Sequence, residues 1–489
     1  MKILFFIVLF AVLILLTLFL GEFLKRKFNV KLEIARKTFH ILAGITCIIG
    51  VNFFVNKEPL IFLCLSFIVF LYITLKLNLF KIQSEKRGYG TVFFAVGLLF
   101  LVLFFWDRKE IITISLLVLT FSDALAALFG EQFGEKGYQL ANSKKTFIGS
   151  SVFFISSFIL IFTSLFFYQA NLSVEILLTT LICSFLITGV EAISTSSFDN
   201  FTIPLATSIL LHITTNLNIE QGLWCLVGLL VMIAIVGITY KFKFVDISAS
   251  IGVFVFGTIF FIIGSFKWWV PITVFFLNTS LLGLFSKKIF FNPYVEKEGK
   301  RDLIQIYSKG IISLFIVVFY HFMPYEIFYY LFLTVVAITN SDTWSSGLGG
   351  FSKQDSCLTL PFFKRVPKGV SGGISFIGFL AGILGSGLIA SFIFIFDNNK
   401  ESLAIFFLIS TGGLIGNWLD SILGANLQGL YKCLICDKMS EKKIHCSSLA
   451  KDNKKIKGFD RITNDTVNFL STLIGAIISL GILYLYIYK

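Results

Sequence analysis

The residues best able to do chemistry form one short polar pattern that occurs twice in an otherwise apolar chain. Each copy has an acidic residue beside an apolar segment, then a glycine-bearing stretch, then lysine, serine and glycine. The copies are Ser122-Asp123 with Lys144-Lys145-Thr146 and Gly149-Ser150, and Ser341-Asp342 with Lys368-Gly369 and Ser371-Gly372-Gly373. A carboxylate next to an apolar span is costly without a partner, and glycine amides with a lysine ammonium suit a polyphosphate. The pattern predicts two related phosphate-handling sites.

The composition predicts a membrane protein. Of 489 residues, 56% are hydrophobic and only 14% are charged, and long apolar runs alternate with short basic loops. A soluble chain of this length would carry more charge, whereas about sixteen of the apolar runs approach the ~20 residues that span a bilayer. We therefore expect an all-α, polytopic helical membrane protein.

The doubled pattern predicts two distantly related membrane domains, residues 1–217 and 218–489, each with about eight of these spans. Both halves then enter the membrane in the same orientation, which indicates a parallel fusion. The extramembrane segments are too short for a soluble domain. We therefore expect chemistry at the membrane surface, on a lipid or another amphiphile.

The net charge of +13 indicates membrane orientation and does not require a nucleic-acid partner. The basic residues concentrate in loops that follow the odd-numbered spans, and such loops face the cytoplasm. All polar motifs then lie on the cytoplasmic side, and both termini lie outside. We expect an integral protein of the cell inner membrane, whose apolar run from Ile3 to Leu20 is a retained span because no cleavage site follows it.

In the first half, carboxylates and cations lie at the ends of apolar spans. Asp123, Glu191 and Asp199 carry the oxygen ligands that Mg²⁺ prefers, and Lys144 and Lys145 can neutralise phosphate charge. We predict that Asp123, Asp199 and the two lysines are catalytic. The candidate nucleotide contacts are Arg36, Lys37, His40, Arg87, Gly149 and Asn200. For the basic residues, a belt of side chains reaching the interface is the structural alternative.

The second half repeats this order. Asp342, Lys368 and Asp420 are its candidate catalytic residues, and Asp465 joins the two other aspartates as a candidate Mg²⁺ ligand. Lys368 precedes a Gly/Ser turn at the start of a span, where helix N–H groups favour anions. The candidate nucleotide contacts in this half are Arg301, Ser371, Gly372, Asn464 and Asn468.

A cysteine-containing loop lies between residues 425 and 463. Cys433 and Cys436 have the spacing of a zinc knuckle, and His445 and Cys446 can complete four ligands. Free surface thiols are the alternative, since adjacent ligands are unusual in the second pair. A disulfide framework is not expected on the reducing side of the membrane.

The first half resembles the phytol, dolichol and related polyprenol kinases, which are CTP-using membrane enzymes. The resemblance covers about residues 30–217 and rests on an ordered set of short motifs. These are "RKTFH", "KRGYGT", "SDALAALFGEQFG", "SKKTFIGS" and "DNFTIP". It implies transfer of a nucleotide γ-phosphate to a lipid alcohol.

The second half resembles another membrane family, DUF92, whose plant members include phytyl-phosphate kinases. This resemblance covers about residues 240–489. It rests on "SDTWSS", "PKGVSGG", "LDSILGA" and "NDTVNFLS". It implies phosphorylation of a prenyl monophosphate.

Together the resemblances imply a bifunctional kinase that converts a prenol, such as phytol or geranylgeraniol, to its monophosphate and then its diphosphate. The implied cofactors are Mg²⁺ and CTP or another nucleoside triphosphate. The implied partners are the prenol, the prenyl phosphate and membrane lipids. Two alternatives stay open: a cytidylyltransferase that forms a CDP-lipid, and a transporter of a phosphorylated lipid. The acidic residues lie near one interface, which favours surface chemistry over transport.

Overall fold

The structure of the chain is a computed structural model. It describes residues 2–28, 32–83, 89–140, 143–195, 197–289, 300–352, 356–358, 365–366, 371–397, 400–434, 439–441 and 453–488. Two compact units divide these residues, Met1–Val231 and Met232–Lys489. Each is described by itself.

The first unit is built from helices and one small hairpin. Its helices are α1 (Lys2–Lys27), α2 (Leu32–Phe53), α3 (Glu58–Lys76), α4 (Gly90–Phe105), α5 (Lys109–Leu117), α6 (Asp123–Phe133), α7 (Phe147–Gln169), α8 (Val174–Ile193), α9 (Asp199–Thr214) and the first part of α10 (Ile219–Lys241). Strands β1 (Gly137–Leu140) and β2 (Ser143–Thr146) pair antiparallel between α6 and α7.

The second unit contains the end of α10 and the remaining elements. Its helices are α11 (Ile247–Ile289), α12 (Leu303–Phe322), α13 (Glu326–Gly349), α14 (Phe376–Ala390), α15 (Ile393–Phe396), α16 (Ser402–Asn426) and α17 (Asn464–Ile487). Two antiparallel three-stranded sheets lie in its polar loops. They consist of β3 (Ser356–Leu358), β4 (Arg365–Val366) and β5 (Gly373–Ile374), in the order β4-β3-β5, and of β6 (Leu430–Lys432), β7 (Met439–Ser440) and β8 (Lys454–Lys457), in the order β7-β6-β8.

The helical architecture follows from the hydrocarbon interior of the membrane. In hydrocarbon every backbone N–H and C=O must be paired within the segment, which a helix achieves. Polar side chains at helix starts accept the N–H groups that the helix leaves free. Thr146, Ser173, Asp302, Ser375 and Thr463 do this for α7, α8, α12, α14 and α17. The all-α membrane class is thus confirmed, with small sheets restricted to the loops.

Two long helical stretches are interrupted. A 3₁₀ turn, Trp106–Arg108, separates α4 from α5. Ser265 has φ 58° and ψ −170° inside α11 and divides it into two helical arms. Each break divides a long apolar stretch into two helices.

The number of spans is not confirmed. Within the described residues, twelve helices are long and apolar enough to cross a membrane. The stretch Gly90–Phe133 counts once among them although a turn divides it, and neither α9 nor α13 is included. The expectation of about sixteen spans stays a prediction.

Orientation gives the first testable prediction. With an even number of spans and basic loops inside, both termini lie on the non-cytoplasmic side. A topology reporter fused after Lys489 is therefore expected to read outside the cytoplasm. A cytoplasmic signal from this fusion, in protein that still folds, would contradict the orientation.

The most buried helix of the second unit is α13. It packs against α11, α12, α14, α16 and α17, and Tyr329–Ser341 are all buried. In the first unit, α5 is buried from Ile111 to Leu116 and packs against α2, α4, α7 and α9. Both central helices lead directly into the acidic motif of their unit.

Candidate active site

The first cluster forms around Asp123, the first residue of α6. Its side chain is only 8% exposed and makes an ion pair with Lys37 of α2. Lys37 Nζ also lies 3.4 Å from the Asp123 carbonyl oxygen. Arg36 and His40, from the same helix, line the adjoining cavity. The two partners are 86 residues apart, so packing of α2 against α5 and the turn that leads into α6 creates the pair.

A π-helical turn, Val118–Ser122, joins α5 to α6 and immediately precedes Asp123. Such turns disturb the regular hydrogen-bond ladder and often occur at functional sites. Here His40 Nε2 lies 3.1 Å from the Leu119 carbonyl oxygen. Among the described residues, buried Thr120 Oγ1 and Ser122 Oγ have no hydrogen-bond partner. The turn thus places free hydroxyl groups directly before the carboxylate.

A second ion pair joins Lys145 of β2 to Glu191 near the end of α8. Burial alone would lower the pKa of Lys145, but the negative charge of Glu191 raises that pKa above its ordinary value. The lysine is therefore charged. Glu191 Oε2 is buried and has no hydrogen-bond partner in the described part of the chain, so one oxygen is available to a ligand.

The start of α9 completes this cluster. The Asn200 backbone N–H donates to Asp199 Oδ1 at 3.0 Å, and Asn200 Nδ2 donates to the Gly90 carbonyl at 2.8 Å. The charge of Asp199 interacts with Asp123, Glu191, Lys37 and Lys145. A cavity of about 70 Å³ lies beside Asp123 and Asp199, and it is also lined by Arg36, Lys37, His40 and Asn200. The first-half motifs therefore meet in space.

Gly149 has a packing role in this arrangement. A Cβ there would lie 3.0 Å from the Ala126 carbonyl oxygen, so glycine permits close contact of α6 and α7. Its N–H donates to Thr146 Oγ1 at 3.1 Å, as part of the α7 cap. A direct contact of this N–H with phosphate stays a prediction.

The predicted Mg²⁺ ligands fit a nucleotide-dependent metal better than a resident one. No group of three His, Cys, Asp or Glu side chains is arranged to hold a metal within the described residues. Mg²⁺ usually takes one or two carboxylates, several waters and substrate phosphates. Asp123 and Asp199 line one cavity and can supply two carboxylates, and binding of Mg²⁺ by them or by Glu191 stays a prediction.

The second cluster also contains a lysine–aspartate ion pair, which forms around Asp342 of α13. Lys309 Nζ of α12 lies 2.9 Å from Asp342 Oδ2 and 2.8 Å from Thr343 Oγ1. Asp420 of α16 accepts a hydrogen bond from Ser471 Oγ at 2.9 Å, and its charge interacts with those of Asp342 and Lys309. The two candidate aspartates therefore belong to one site.

A polar network positions Asp342 on its helix. Asn417 Nδ2 donates to Ser341 Oγ at 3.1 Å and to Ser345 Oγ at 2.7 Å. Ser341 Oγ donates to the Gly382 carbonyl at 3.0 Å. These bonds fix α13 against α14 and α16 at the acidic residue. Asn417 and Lys309 are absent from the residues that the sequence predicts, although Lys309 is the single lysine of α12.

The predicted Ser371-Gly372 turn packs on the C-terminal end of α16. Ser371 Oγ donates to Gln428 Oε1 at 2.6 Å. Lys457 Nζ donates to the Ala425 carbonyl at 2.8 Å and lies 3.4 Å from the Ser371 carbonyl, and burial lowers the pKa of Lys457. Lys457 is not among the residues that the sequence predicts, and it brings a cation to the turn.

Gly372→Ala is expected to destabilise the second unit. Gly372 has φ +88°, and a Cβ there would lie 2.5 Å from Ala425 Cβ. The left-handed backbone costs about 1–2 kcal/mol for alanine, and overpacking adds about 1–3 kcal/mol. Thermal unfolding of the purified full-length protein measures the loss. Gly481→Ala is the control, because a Cβ at this helical site meets no atom of the described residues within 4 Å. Equal stability of both variants would contradict this role of Gly372.

The last helix contributes Asp465 and Asn468, which are buried in the first turns of α17, whereas Asn464 is exposed. Arg301 precedes α12, and its guanidinium lies 5.9 Å from the centre of the Phe276 ring. Roles for these residues in nucleotide or metal binding stay predictions.

Several predicted residues lie outside the described part of the chain. They are Arg87, Lys368, Cys436, His445 and Cys446, and the side chain of Lys144. Cys433 is described and is 1% exposed. The zinc site therefore stays a prediction.

Comparison with known proteins places the chain in a membrane family. Residues 230–476 match the model of "Integral membrane protein DUF92". Protein PGR of Arabidopsis thaliana is 30% identical over 266 residues, which are 49% of this chain and 90% of that protein. No solved structure matches.

Phytol kinases are also similar to the chain. Phytol kinase of Synechocystis is 30% identical over 129 residues, which are 26% of this chain and 54% of that enzyme. Chloroplastic phytol kinase 1 of Arabidopsis thaliana is 26% identical over 214 residues, which are 40% of this chain and 70% of that enzyme. This likeness indicates a kinase, and hence a phosphotransferase. Since the DUF92 model covers half of the chain, the protein belongs to the DUF92 family of integral membrane proteins.

Proposed function

We propose that this protein is a bifunctional isoprenoid-alcohol kinase, with one phosphotransferase site in each half. The domain of residues 1–217 phosphorylates a prenol, and the domain of residues 218–489 phosphorylates the resulting monophosphate. The observation that carries the proposal is the pair of similar centres, Lys37–Asp123 and Lys309–Asp342, one in each compact unit. The likeness to phytol kinases supports the substrate class.

In the first site, the hydroxyl oxygen of the prenol attacks the γ-phosphorus of the nucleotide, and the bond to the β-phosphate oxygen breaks. The nucleoside diphosphate leaves with the electron pair, and the hydroxyl proton passes to solvent. Lys37 and Lys145 neutralise the phosphates, and phosphoryl transfer depends largely on such positioning and electrostatics. Asp123, Asp199 and Glu191 would hold Mg²⁺, which neutralises the phosphate charges when bound. The cytoplasmic membrane surface supplies both the nucleotide and the prenol.

In the second site, Asp342 and Asp420 would hold Mg²⁺ and Lys309 neutralises phosphate charge. Lys368 and the Ser371-Gly372 turn are the proposed nucleotide contacts. A fused pair of sites suits a hydrophobic intermediate, because the prenyl monophosphate partitions into the bilayer on the side where both sites lie. CTP is the proposed donor, by resemblance of the first half to the polyprenol kinases, with other nucleoside triphosphates as alternatives.

Labelled nucleotide and product mass spectrometry test this function. Purified protein with Mg²⁺, γ-labelled CTP and a panel of prenols is expected to release CDP and to place label on prenyl monophosphate and diphosphate. Parallel reactions with ATP, GTP and UTP identify the donor. Release of pyrophosphate with a CDP-lipid product would instead establish a cytidylyltransferase and reject the kinase proposal.

A further inference from the structure

The second unit contains a large cavity of about 320 Å³. It lies among α10, α11, α12 and α13, and its walls are mostly apolar. Phe256, Phe260, Phe275 and Phe276 belong to its lining. A pocket with apolar walls and a few polar groups is the usual form of a small-molecule site. The walls suit a hydrocarbon chain.

Two cations, Arg301 and Lys309, belong to the cavity lining. Arg301 precedes α12, whereas Gln305 and Lys309 lie one turn apart on the same face of that helix. Lys309 also bonds Asp342 and Thr343, and Thr343 lines the cavity as well. Lys309 therefore connects the cavity lining to the candidate catalytic carboxylate.

Arg301 lacks an ion-pair partner among the residues that the structure describes. Its guanidinium is held by the Phe276 ring at 5.9 Å, and its backbone bonds Phe244 and Asp246 at 2.9 and 3.0 Å. Burial lowers the pKa of Arg301 to about 10, so the group is still charged at neutral pH. A partly buried cation of this kind is stabilised by an anion, and guanidinium matches phosphate oxygens in a bidentate manner.

We infer that this acceptor cavity binds the phosphorylated substrate of the second step, with its phosphate between Arg301 and Lys309 and its hydrocarbon chain along the phenylalanines. The inference rests on the proposed function and names the substrate site of its second step. It assigns Arg301 to the acceptor, whereas the sequence predicts a nucleotide contact.

The second phosphoryl transfer needs no general base, because the acceptor phosphate is already a dianion. An oxygen of the dianionic acceptor phosphate forms the new bond to the γ-phosphorus, and the bond to the β-phosphate oxygen breaks. The nucleoside diphosphate leaves with the electron pair. Arg301 and Lys309 hold the acceptor phosphate beside the nucleotide, and they offset the repulsion between the two anions.

Binding to the full-length protein without nucleotide tests the headgroup contact. Geranylgeranyl monophosphate is the probe, and geranylgeraniol and phosphatidic acid are compared with it. Arg301→Gln is expected to weaken binding of the monophosphate about 10- to 100-fold, the effect of losing a charge-assisted bidentate contact. It is expected to raise the KM for the monophosphate in the second step and to leave the KM for the nucleotide unchanged.

A pocket-filling variant tests the hydrocarbon part. Gly283 lines the cavity. Among the residues that the structure describes, no atom lies within 4 Å of a Cβ placed on Gly283, so Gly283→Leu is expected to occupy part of the cavity. It is expected to weaken binding of geranylgeranyl monophosphate and to spare a five-carbon prenyl monophosphate. Gly481→Leu is the matched control, because a Cβ on this helical glycine also meets no described atom within 4 Å and Gly481 is not among the residues that line the cavity.

The outcomes separate this inference from the proposed function. If the protein binds the monophosphate through Arg301 but forms no diphosphate, the site assignment holds and the second kinase step fails. If diphosphate forms and Arg301→Gln raises only the KM for the nucleotide, the acceptor assignment is overturned. Equal affinity for phosphatidic acid and the monophosphate would likewise overturn it, since the cavity would then be a general lipid-headgroup site.

Discussion

Asp123→Asn is expected to stop the conversion of prenol to prenyl monophosphate while prenyl monophosphate is still converted to diphosphate. The amide keeps the shape of the side chain but removes the charge that pairs with Lys37 and that would hold Mg²⁺. Loss of one such electrostatic contribution lowers the rate by about 10²–10³-fold. Both steps are measured on the same purified preparation, with prenol or prenyl monophosphate as the supplied acceptor.

The control for this variant is Asp107→Asn, the same chemical change at an exposed residue of the first unit. It is expected to keep both activities. Equal loss of both steps in folded Asp123→Asn protein would mean that the chain has one shared site. That result would reject the assignment of separate reactions to the two halves.

The double variant Asp342→Asn/Asp420→Asn is expected to accumulate prenyl monophosphate from prenol. The two carboxylates share one site through their mutual charge interaction and Lys309, so their removal leaves the lysine without its acidic partners. The diphosphate-forming rate is expected to fall by more than the about 10²–10³-fold of a single contact. Mass spectrometry of the lipid products follows both steps over time.

The first step is the internal control for this variant, because its residues lie in the other unit. Normal insertion is checked by the yield and thermal stability of the purified protein. Undiminished diphosphate synthesis would exclude Asp342 and Asp420 as a catalytic pair. Parallel loss of both steps together with lower stability would indicate that the aspartates are structural.

The sequence is sufficient to predict the class of fold and the position of the acidic motifs. The length of the apolar runs predicts membrane-spanning helices. A carboxylate near lipid is unfavourable without a partner, so the sequence predicts functional roles for Asp123 and Asp342. These features depend on local composition, which a single sequence displays.

The partners of the acidic residues are not predictable in the same way. Lys37 pairs with Asp123 across 86 residues, Lys309 with Asp342 across 33, and Asn417 with Ser345 across 72. Such pairs depend on which helix faces pack together, and periodicity within one helix does not determine that. The sequence therefore identifies the carboxylates but misses Lys309 and Asn417.

Arg301 shows a related difficulty. Its place near "GKRD" predicts a phosphate contact, but the motif does not distinguish donor phosphate from acceptor phosphate. The proposed acceptor role depends on the cavity among α10, α11, α12 and α13, which Arg301 lines together with several phenylalanines. Only the tertiary arrangement shows this.

The central claim is that two independent sites act in sequence on one diffusing lipid intermediate. Its most direct test is to reconstitute Asp123→Asn and the Asp342→Asn/Asp420→Asn variant separately and together in the same vesicles, with prenol, Mg²⁺ and CTP. We predict that neither variant alone forms prenyl diphosphate and that the mixture does. Absence of diphosphate from the mixture, while the second variant still makes monophosphate and Asp123→Asn still consumes added monophosphate, would contradict exchange of the intermediate between sites.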